Sequence, residues 1–272
     1  MESIKHTEKV KVRRNRKQQK VVNQYTVAGK LGETANSKVF LVQINKKKQF
    51  VMNNKAMKSL NINYLSRQRI AVKGMNGEIG SKTLFDGVLN EIKISSKLSH
   101  RNLIKIFEVI KDEEKGKMYI IMEYCAKGSF LSWNPTTSTF HALWSKFELK
   151  EDVISHIFCQ LVFAVYYLHH HFIVHLDLKP QNVLICQDFT VKLADFDQAC
   201  CLLETKKVPR QPGTIHFFPP ECISSEFPTS LNGAKAIDIW GLGLILYAAV
   251  FGVIPFNGDS IEEVFNNILS KE

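Results

Sequence analysis

The stretch HLDLKPQN, residues 175–182, decides how this sequence is interpreted. It sets four polar residues in the spacing H-x-D-x-K-x-x-N: His175, Asp177, Lys179 and Asn182. Thirteen residues after Asn182 comes the triplet DFD, 195–197, directly after a strand-like segment. A lone Asp or Lys is ordinarily a surface charge or half of a structural ion pair. Polar residues in this shared spacing instead indicate one site that several segments build together.

Further motifs flank the central stretch. Upstream, the motif KAMK ends in Lys58 on a predicted strand, and Glu91 lies on the following predicted helix. Downstream lie GT at 213–214, PPE at 219–221 and DIWGLG at 238–243. In this order the motifs resemble the signature set of eukaryotic protein kinases over roughly residues 25–271. The stretches NQYTVAGKLGE and GAKAIDIWGLGLILYAAVFGVIPF, with the extended segment after Lys58, are most similar to the calcium/calmodulin-dependent protein kinase kinases.

Strand-like segments dominate the first half of the chain and helical segments the second half, which predicts an α+β fold. Helices are predicted at 87–98 and 151–171, and a hairpin at NVLIC and VKLADF. The resemblance implies two lobes: a β-rich N-lobe at 23–122, a hinge at 123–128 and a mainly helical C-lobe at 129–272. We expect this C-lobe to lack the last helices of the family, which usually supply an arginine partner for Glu221.

The resemblance assigns a catalytic role to each residue of the central site. Asp177 would accept the proton of the attacking hydroxyl, and Lys179 would neutralise charge on the transferred phosphoryl group. Lysine at this position marks serine/threonine kinases rather than tyrosine kinases, and Thr214 matches the residue that braces the pair. Asn182 and Asp195 would bind Mg²⁺.

The resemblance also implies an ATP site, with an apolar slot for adenine between the lobes. Lys58 would hold the α- and β-phosphates, and Glu91 would pair with Lys58. Further side chains or backbone groups at ATP would come from Leu31, Gly32, Val39, Ala56, Met122, Glu123, Cys125 and Leu184. On pattern alone these eight residues would be read as core residues.

Four positions depart from the family pattern in ways that bear on nucleotide binding, metal binding or helix packing. The phosphate loop LGETANSKV has Thr34 and Ser37 where glycines usually lie, so we expect weaker nucleotide binding. Asp197 replaces a glycine; it either disfavours an inactive flip or perturbs metal binding. Ser95, one turn past Glu91, replaces an apolar residue and should weaken the packing of its helix by about 1–2 kcal/mol.

Leu176 stands where many kinases have an arginine. That arginine is neutralised by a phosphate on the activation loop, which orders the loop. Leucine cannot form this pair, and it leaves no cation to be neutralised. Because Asp177 is retained, we expect activity that does not depend on activation-loop phosphate.

The net charge of +10 is concentrated at the N-terminus, where residues 1–20 hold eight Lys or Arg and two Glu. Residues 1–22 are therefore predicted to be a basic, disordered tail. Three interpretations stay open for this tail: a nuclear address, a contact for nucleic acid or acidic lipid, or a solvated segment without a dedicated partner.

Cysteine usage and apolar segments bear on the compartment. The six cysteines show no C-x-x-C pair and no zinc-like spacing, and no apolar signal follows Met1. We expect a reducing cytoplasmic or nuclear compartment, in which the adjacent Cys200 and Cys201 are thiols rather than an oxidant sensor. The apolar segment 236–256 contains Asp238 and Pro255 and lacks a cationic flank, which favours a core helix over a membrane span.

The predicted function is a Mg²⁺- and ATP-dependent serine/threonine kinase that acts on a protein substrate, such as a downstream kinase. The alternative is a pseudokinase, weak or inactive in catalysis, that serves as a nucleotide-binding or scaffolding module. The glycine-poor loop, Asp197 and Ser95 favour the alternative. The subfamily resemblance also implies calmodulin as a partner, whose site would lie outside this chain. A nucleic-acid module is disfavoured because no aromatic residues interleave the basic ones.

Overall fold

A computed structural model describes residues 4–8, 10–33, 37–44, 70–76, 82–112, 117–145, 149–204, 213–224 and 231–270. The chain divides into two compact units. Unit 1 comprises Met1–Ser99 and Ile104–Tyr124, and unit 2 comprises His100–Leu103 and Cys125–Glu272. The division between Tyr124 and Cys125 falls within the predicted hinge 123–128.

Unit 1 is built on one β-sheet. Its strands are β1 (Lys5–Thr7), β2 (Val12–Arg14), β3 (Lys20–Val22), β4 (Tyr25–Glu33), β5 (Ser37–Ile44), β6 (Ile70–Asn76), β7 (Ile106–Asp112) and β8 (Lys117–Glu123). The strand order is β1-β7-β8-β6-β5-β4-β3-β2. Pairing is antiparallel except between β1 and β7, which are parallel. Met118–Met122 of β8 are all buried, as expected of a strand in the interior of a sheet.

The prediction of a disordered tail at 1–22 was wrong for the described part of this segment. Strands β1 and β2 form the two edges of the sheet, and β3 lies next to β2. The physical reason is a buried carboxylate on β7: Glu108 is 1% exposed. Its Oε1 is 2.9 Å from Lys5 Nζ and accepts a hydrogen bond of 2.5 Å from Thr7 Oγ1. Leaving a buried carboxylate without partners is costly, so Glu108 holds the first strand in place.

The sheet of unit 1 curls until its two edges come close. Thr7 at the end of β1 and Val12 at the start of β2 are five residues apart. Five residues span at most about 18 Å, whereas seven flat strand spacings would span about 33 Å. Tyr25 on β4 confirms the curl, because its hydroxyl donates to Glu108 Oε2 on β7 at 2.6 Å. The enclosed core cluster contains Val22, Tyr25, Val42, Phe107, Ile110, Tyr119 and Ile121.

Helix α1 (Lys82–Lys97) is the helix of unit 1 that was predicted at 87–98. It buries Val88, Glu91, Ile92 and Ile94. Positions 88, 91 and 92 lie on one face of a helix. An acidic residue therefore lies on the apolar face of α1, which already marks Glu91 as a residue with a buried partner.

The helices of unit 2 are α2 (Glu151–His170), α3 (Pro220–Ile223), α4 (Leu231–Phe251) and α5 (Ile261–Ser270). Helix α2 confirms the helix predicted at 151–171. Its first turn contains Glu151 and Asp152, which the helix dipole favours. Its buried side chains recur every three or four residues: Ile154, Ile157, Leu161, Ala164, Val165 and Leu168.

Helices α2 and α4 are both long and apolar enough to cross a membrane by length and composition alone. In the structure they pack against each other. Asp238 in α4 is 1% exposed and accepts a hydrogen bond from the backbone N–H of His175 at 2.9 Å. A buried carboxylate that fixes a neighbouring loop is the arrangement of a core helix, which favours the core interpretation of segment 236–256.

Short strands of unit 2 frame the stretch 175–182. They are β9 (Gly128–Ser129), β10 (Ser132–Asn134), β11 (Thr139–His141), β12 (Ile173–Val174), β13 (Val183–Ile185), β14 (Val191–Leu193) and β15 (Cys200–Cys201). Strands β13 and β14 form the predicted antiparallel hairpin, with β9 on the other side of β13. Strand β12 enters the stretch and pairs with β15. The stretch is therefore anchored by strands at both ends.

Candidate active site

Asp238 fixes the backbone of the central stretch. Its Oδ2 accepts from the N–H of His175 and its Oδ1 from the N–H of Leu176, both at 2.9 Å. The ring of His169 on α2 adds a third contact, with Nε2 at 2.8 Å from Asp238 Oδ2. Three donors surround a carboxylate that is withdrawn from water, so the start of the loop is held rigidly from two helices.

His175 links this loop to the segment around Asp195. Its Nε2 lies 3.1 Å from the carbonyl oxygen of Ala194, and its ring packs on Phe196 with centroids 5.1 Å apart. A carbonyl can only accept, so Nε2 carries the proton. The Nδ1 of the same ring then accepts from the N–H of Asp177 at 3.3 Å. The imidazole is fully buried and serves as a brace.

Leu176 packs into an apolar cluster and is 4% exposed. The buried members of this cluster, which we call the Leu176 cluster, are Val174, Leu176, Cys200, Leu202, Phe218, Cys222, Ala234 and Ile237. The backbone of Leu176 has a φ of 65°, in the left-handed region that is uncommon for leucine. The N–H groups of His175 and Leu176 both donate to Asp238, and these two hydrogen bonds together with apolar burial hold the conformation.

Asp177, Lys179 and Thr214 form a closed hydrogen-bonded triangle. Lys179 Nζ is 2.6 Å from Asp177 Oδ2 and donates to Thr214 Oγ1 at 2.9 Å. Thr214 Oγ1 donates to Asp177 Oδ1 at 3.0 Å. The carboxylate is 6% exposed, while the Lys179 side chain is 22% exposed. Asp177 is thus oriented by a cation and a hydroxyl. The two residues that supply them, Lys179 and Thr214, are 35 positions apart in sequence.

Gly213 is required by the close approach of the segment 213–214 to Asp177. It has a φ of 87°. A Cβ at this position would lie 2.7 Å from Asp177 Oδ1 and 2.7 Å from the carbonyl oxygen of Leu176. Both distances are shorter than atoms tolerate, so only glycine lets Thr214 reach the carboxylate.

Asn182 and Asp195 offer the oxygen ligands that Mg²⁺ prefers. Asn182 is 5% exposed, and its Nδ2 donates to the carbonyl oxygen and to Oδ2 of Asp177 at 2.9 and 3.2 Å. Since the amide nitrogen is committed to two acceptors, Oδ1 is presented as a ligand. Asp195 has a φ of 68°, which aspartate tolerates, and its neighbour Ala194 donates its N–H to the carbonyl oxygen of Asn182 at 2.9 Å. The donor set therefore fits this ion.

In unit 1, Glu91 forms an ion pair with Lys73. Lys73 Nζ on β6 lies 3.1 Å from Glu91 Oε2 on α1, and the Glu91 side chain is 2% exposed. The sequence analysis gave this pair to Lys58, which lies outside the described residues, as does Ala56. The predicted pair of Lys58 with Glu91 therefore stays a prediction. Strand β6 runs between β5 and β8, which sets Lys73 in the interior of the sheet beside α1.

The comparisons with known proteins agree with this arrangement. A family model described as a protein kinase domain matches residues 25–272. The chain belongs to the protein kinase family. A Dictyostelium discoideum protein named as a probable serine/threonine-protein kinase is 31% identical over 271 residues, which are 98% of this chain and 35% of that protein.

Two further relatives cover less of this kinase domain. The serine/threonine-protein kinase TOS3 of Saccharomyces cerevisiae is 33% identical over 68% of the chain and 34% of its own length. The carbon catabolite-derepressing protein kinase of Secale cereale is 31% identical over 75% of the chain and 38% of its own length. The chain thus spans about a third of these relatives, which identify a serine/threonine kinase domain; the finer resemblance to the calmodulin-dependent kinase kinases stays a prediction.

The residues predicted at adenine are found on strands of both units of the kinase domain. In unit 1, Leu31 on β4 is 45% exposed, Gly32 of β4 pairs with Val39 of β5, and Met122 of β8 is 8% exposed. In unit 2, Leu184 lies on β13 opposite Ser129. These positions keep their predicted assignment to ATP, which the structure alone does not test.

Two backbone groups of the predicted hinge form hydrogen bonds within the protein. The N–H of Glu123 donates to the carbonyl oxygen of Lys105 at 2.9 Å. The carbonyl oxygen of Cys125 accepts from the N–H of Gly128 at 3.1 Å. The assignment of Glu123 and Cys125 backbone groups to the edge of a base stays a prediction.

Two of the departures from the family pattern can be located. Ser95 Oγ on α1 is buried and has no hydrogen-bond partner among the described residues, so the expected weakening of the helix packing has a structural basis. Asp197 is half-buried, two residues beyond Asp195. Thr34 and the side chain of Ser37 lie outside what the structure describes.

Two features of the site were not predicted from the sequence. The first is the ion pair of Lys73 with Glu91; Lys73 ends the segment IAVK, in which β-branched residues flank an alanine, as is typical of a strand. The second is the bracing role of Asp238, which was read only as a polar interruption of an apolar segment. An acidic residue inside an otherwise apolar helix indicates that buried hydrogen-bond donors surround its carboxylate, so the role of Asp238 could have been predicted from the sequence.

Proposed function

We propose that the chain is the catalytic domain of a serine/threonine protein kinase that transfers the γ-phosphoryl group of ATP to a hydroxyl of a protein substrate. The observation that carries the proposal is the triangle of Asp177, Lys179 and Thr214. It combines a carboxylate that can take a proton with a cation and a hydroxyl that hold it in one orientation. Names of the relatives point to the same reaction.

The transfer requires little covalent work from the protein. The substrate hydroxyl oxygen attacks the γ-phosphorus, its proton passes to the carboxylate of Asp177, and the bond to the β-phosphate oxygen breaks so that ADP leaves. Thr214 and Asn182 keep the carboxylate oriented toward the hydroxyl, since each donates to it. Lys179 offsets the negative charge of the transferred group, because its ammonium lies beside the carboxylate.

Lys73 and Glu91 serve the phosphates in this proposal. Lys73 is 14% exposed in its side chain and is oriented by a carboxylate that is 2% exposed. A lysine held in this way can meet the α- and β-phosphates as a positioned point charge. Asn182 and Asp195 would hold Mg²⁺, which neutralises phosphate charge when bound.

Independence from activation-loop phosphorylation belongs to the same proposal. Leu176 is buried in the Leu176 cluster, so the position contributes apolar packing and no cation that a phosphate would have to neutralise. Treating the purified protein with a broad-specificity phosphatase should leave the turnover number unchanged. Loss of turnover after dephosphorylation, with recovery on rephosphorylation, would overturn this part.

The central experiment compares the wild-type protein with Asp177→Asn and with a matched control, Asp152→Asn on the exposed start of α2. Phosphate transfer from Mg²⁺·ATP to a generic protein substrate is measured after folding is verified by circular dichroism. We expect Asp177→Asn to lose about 100-fold or more in turnover, because a positioned base contributes that much. Asp152→Asn should match the wild type. Equal background from all three proteins would instead identify a pseudokinase scaffold.

A further inference from the structure

Two cysteines of unit 2 lie against each other beside the predicted adenine edge. The thiol of Cys186 donates to Cys125 Sγ, with the two sulfur atoms 3.5 Å apart although 61 residues separate them in sequence. Cys125 directly precedes the turn that leads into β9, and Cys186 directly follows β13. The backbones are tied together as well, since the N–H of Lys127 donates to the carbonyl oxygen of Ile185 at 3.0 Å. The backbone pairing of β9 with β13 therefore brings the two cysteines close together.

The other four cysteines are placed differently. Cys200 and Cys201 are neighbours on β15, and neighbouring side chains of a strand point to opposite faces. Cys222 is buried, and burial, reinforced by Glu221, raises the pKa of its thiol to about 12. Cys159 is exposed on α2. The pair at positions 125 and 186 is thus the arrangement best suited to sulfur–sulfur bond formation.

We propose that Cys125 and Cys186 form a reversible disulfide when the protein meets hydrogen peroxide. Cys186 is half-buried while Cys125 is 7% exposed, so the peroxide reaches Cys186 first. The Cys186 thiol loses its proton and the thiolate attacks one peroxide oxygen; the O–O bond breaks, and the departing hydroxide takes up that proton, which gives a sulfenic acid and one water. The Cys125 thiolate then attacks the Cys186 sulfur, the S–O bond breaks, and hydroxide leaves with a proton as a second water. Two thiols are oxidised and one peroxide is reduced.

Forming the bond moves the protein at the predicted hinge. A disulfide needs a sulfur–sulfur distance of about 2.05 Å, so the two sulfurs must approach by about 1.5 Å. Cys125 lies in the short connection between β8 and β9, and its carbonyl oxygen is already fixed by the N–H of Gly128. The approach therefore shifts the backbone at Cys125, whose N–H is assigned to the adenine edge. This consequence rests on the proposed function.

The cross-link is tested without reference to activity. The full chain is treated with hydrogen peroxide, remaining thiols are alkylated, and the protease digest is analysed by mass spectrometry under non-reducing conditions. We expect a cross-linked peptide pair that contains Cys125 and Cys186 and disappears on treatment with dithiothreitol. Cys186→Ser and Cys125→Ser should abolish this species, and Cys159→Ser should leave it intact. Oxidation that stops at a sulfinic acid on Cys186, or a disulfide that joins other positions, would overturn the proposal.

The effect on the nucleotide site is measured with a fluorescent ATP analogue. Oxidised wild-type protein should bind the analogue about tenfold more weakly than reduced protein, which equals about 1.4 kcal/mol, and dithiothreitol should restore binding. Cys125→Ser should show no change on peroxide treatment. Unchanged affinity in protein that is shown to carry the cross-link would overturn the regulatory part. Failure of reduced protein to bind the analogue would count against the proposed function, while the cross-link is judged by mass spectrometry alone.

Discussion

Lys73 on β6 and Glu91 on α1 form a largely buried ion pair with 3.1 Å between Nζ and Oε2. The pair joins the interior of the sheet of unit 1 to its helix. It makes Lys73 a further candidate, beside the predicted Lys58, for the phosphate-binding role that depends on Glu91.

The first prediction separates these two lysines. Lys73→Met should lower phosphate transfer by about 100-fold or more, since a phosphate-binding charge and the partner of a buried carboxylate are lost together. Because this prediction gives the phosphate-binding role to Lys73, Lys58→Met should keep activity within about twofold of wild type. Steady-state kinetics on both purified variants, with thermal unfolding as the folding control, is the measurement. Loss of activity in Lys58→Met with Lys73→Met active would restore the original assignment.

The local part of the site could be predicted because its residues are close in sequence. Asp177, Lys179 and Asn182 lie within one loop, and their spacing alone indicated that they act together. Lys73 could not be assigned with the same certainty, since both KAMK and IAVK offer a lysine after apolar residues and nothing local distinguishes their partners. The strand order of the sheet, which is a property of the whole unit, places Lys73 of β6 beside Glu91.

The N-terminal strands were missed for a related reason. Charge and the lack of apolar periodicity indicated disorder at 1–22. Both are local properties of the segment and do not include its contacts with distant residues. The residue that orders the first strand, Glu108, lies about a hundred positions away from Thr7. A long-range buried carboxylate of this kind leaves no trace in local composition. The predicted helices and the β13–β14 hairpin, by contrast, depend on local periodicity and were confirmed.

A second prediction concerns the close approach at Gly213. Gly213→Ala would set a Cβ at 2.7 Å from Asp177 Oδ1, in a backbone conformation that alanine disfavours. Thr214 would be displaced from the carboxylate, and turnover should fall by about 100-fold, as a displacement of about 1 Å can cause. Gly243→Ala is the matched control, because its Cβ would meet nothing within 4 Å on helix α4. Similar turnover in both variants would show that the approach of the segment is not needed.

The third prediction tests the apolar role of Leu176. Leu176→Arg would bury a guanidinium in the Leu176 cluster, so the free energy of unfolding should fall by about 3 kcal/mol or more. Leu176→Met keeps the volume and the apolar character and should cost less than about 1.5 kcal/mol. Urea denaturation followed by tryptophan fluorescence compares the two variants with wild type. A stable Leu176→Arg protein whose turnover had become sensitive to phosphatase would instead show that this position can accept the family's switch.

A fourth prediction concerns the N-terminal strand β1. The double variant Lys5→Met, Thr7→Val removes both partners of Glu108 Oε1 and should lower the free energy of unfolding by about 2–4 kcal/mol. Arg13→Ala on the exposed strand β2 removes a charge from the same segment without touching Glu108, and it should change stability by less than about 0.5 kcal/mol. Chemical denaturation measures both. An equally small loss in the free energy of unfolding for both variants would show that residues 5–7 are only loosely attached to the sheet.

The last prediction is a pH dependence that originates at Tyr25. Burial, reinforced by the charge of Glu108 and the hydrogen bond to it, raises the pKa of the Tyr25 hydroxyl far above its ordinary value. The folded state therefore keeps this proton while the unfolded state loses it above about pH 10. Because the unfolded state then binds fewer protons, the free energy of unfolding should fall as pH rises, by up to about 1.4 kcal/mol per pH unit from this group. Denaturation curves between about pH 8 and about pH 11 should show a steeper loss for wild type than for Tyr25→Phe. Parallel curves would mean that Tyr25 can ionise in the folded protein, and that the hydroxyl is not committed to Glu108.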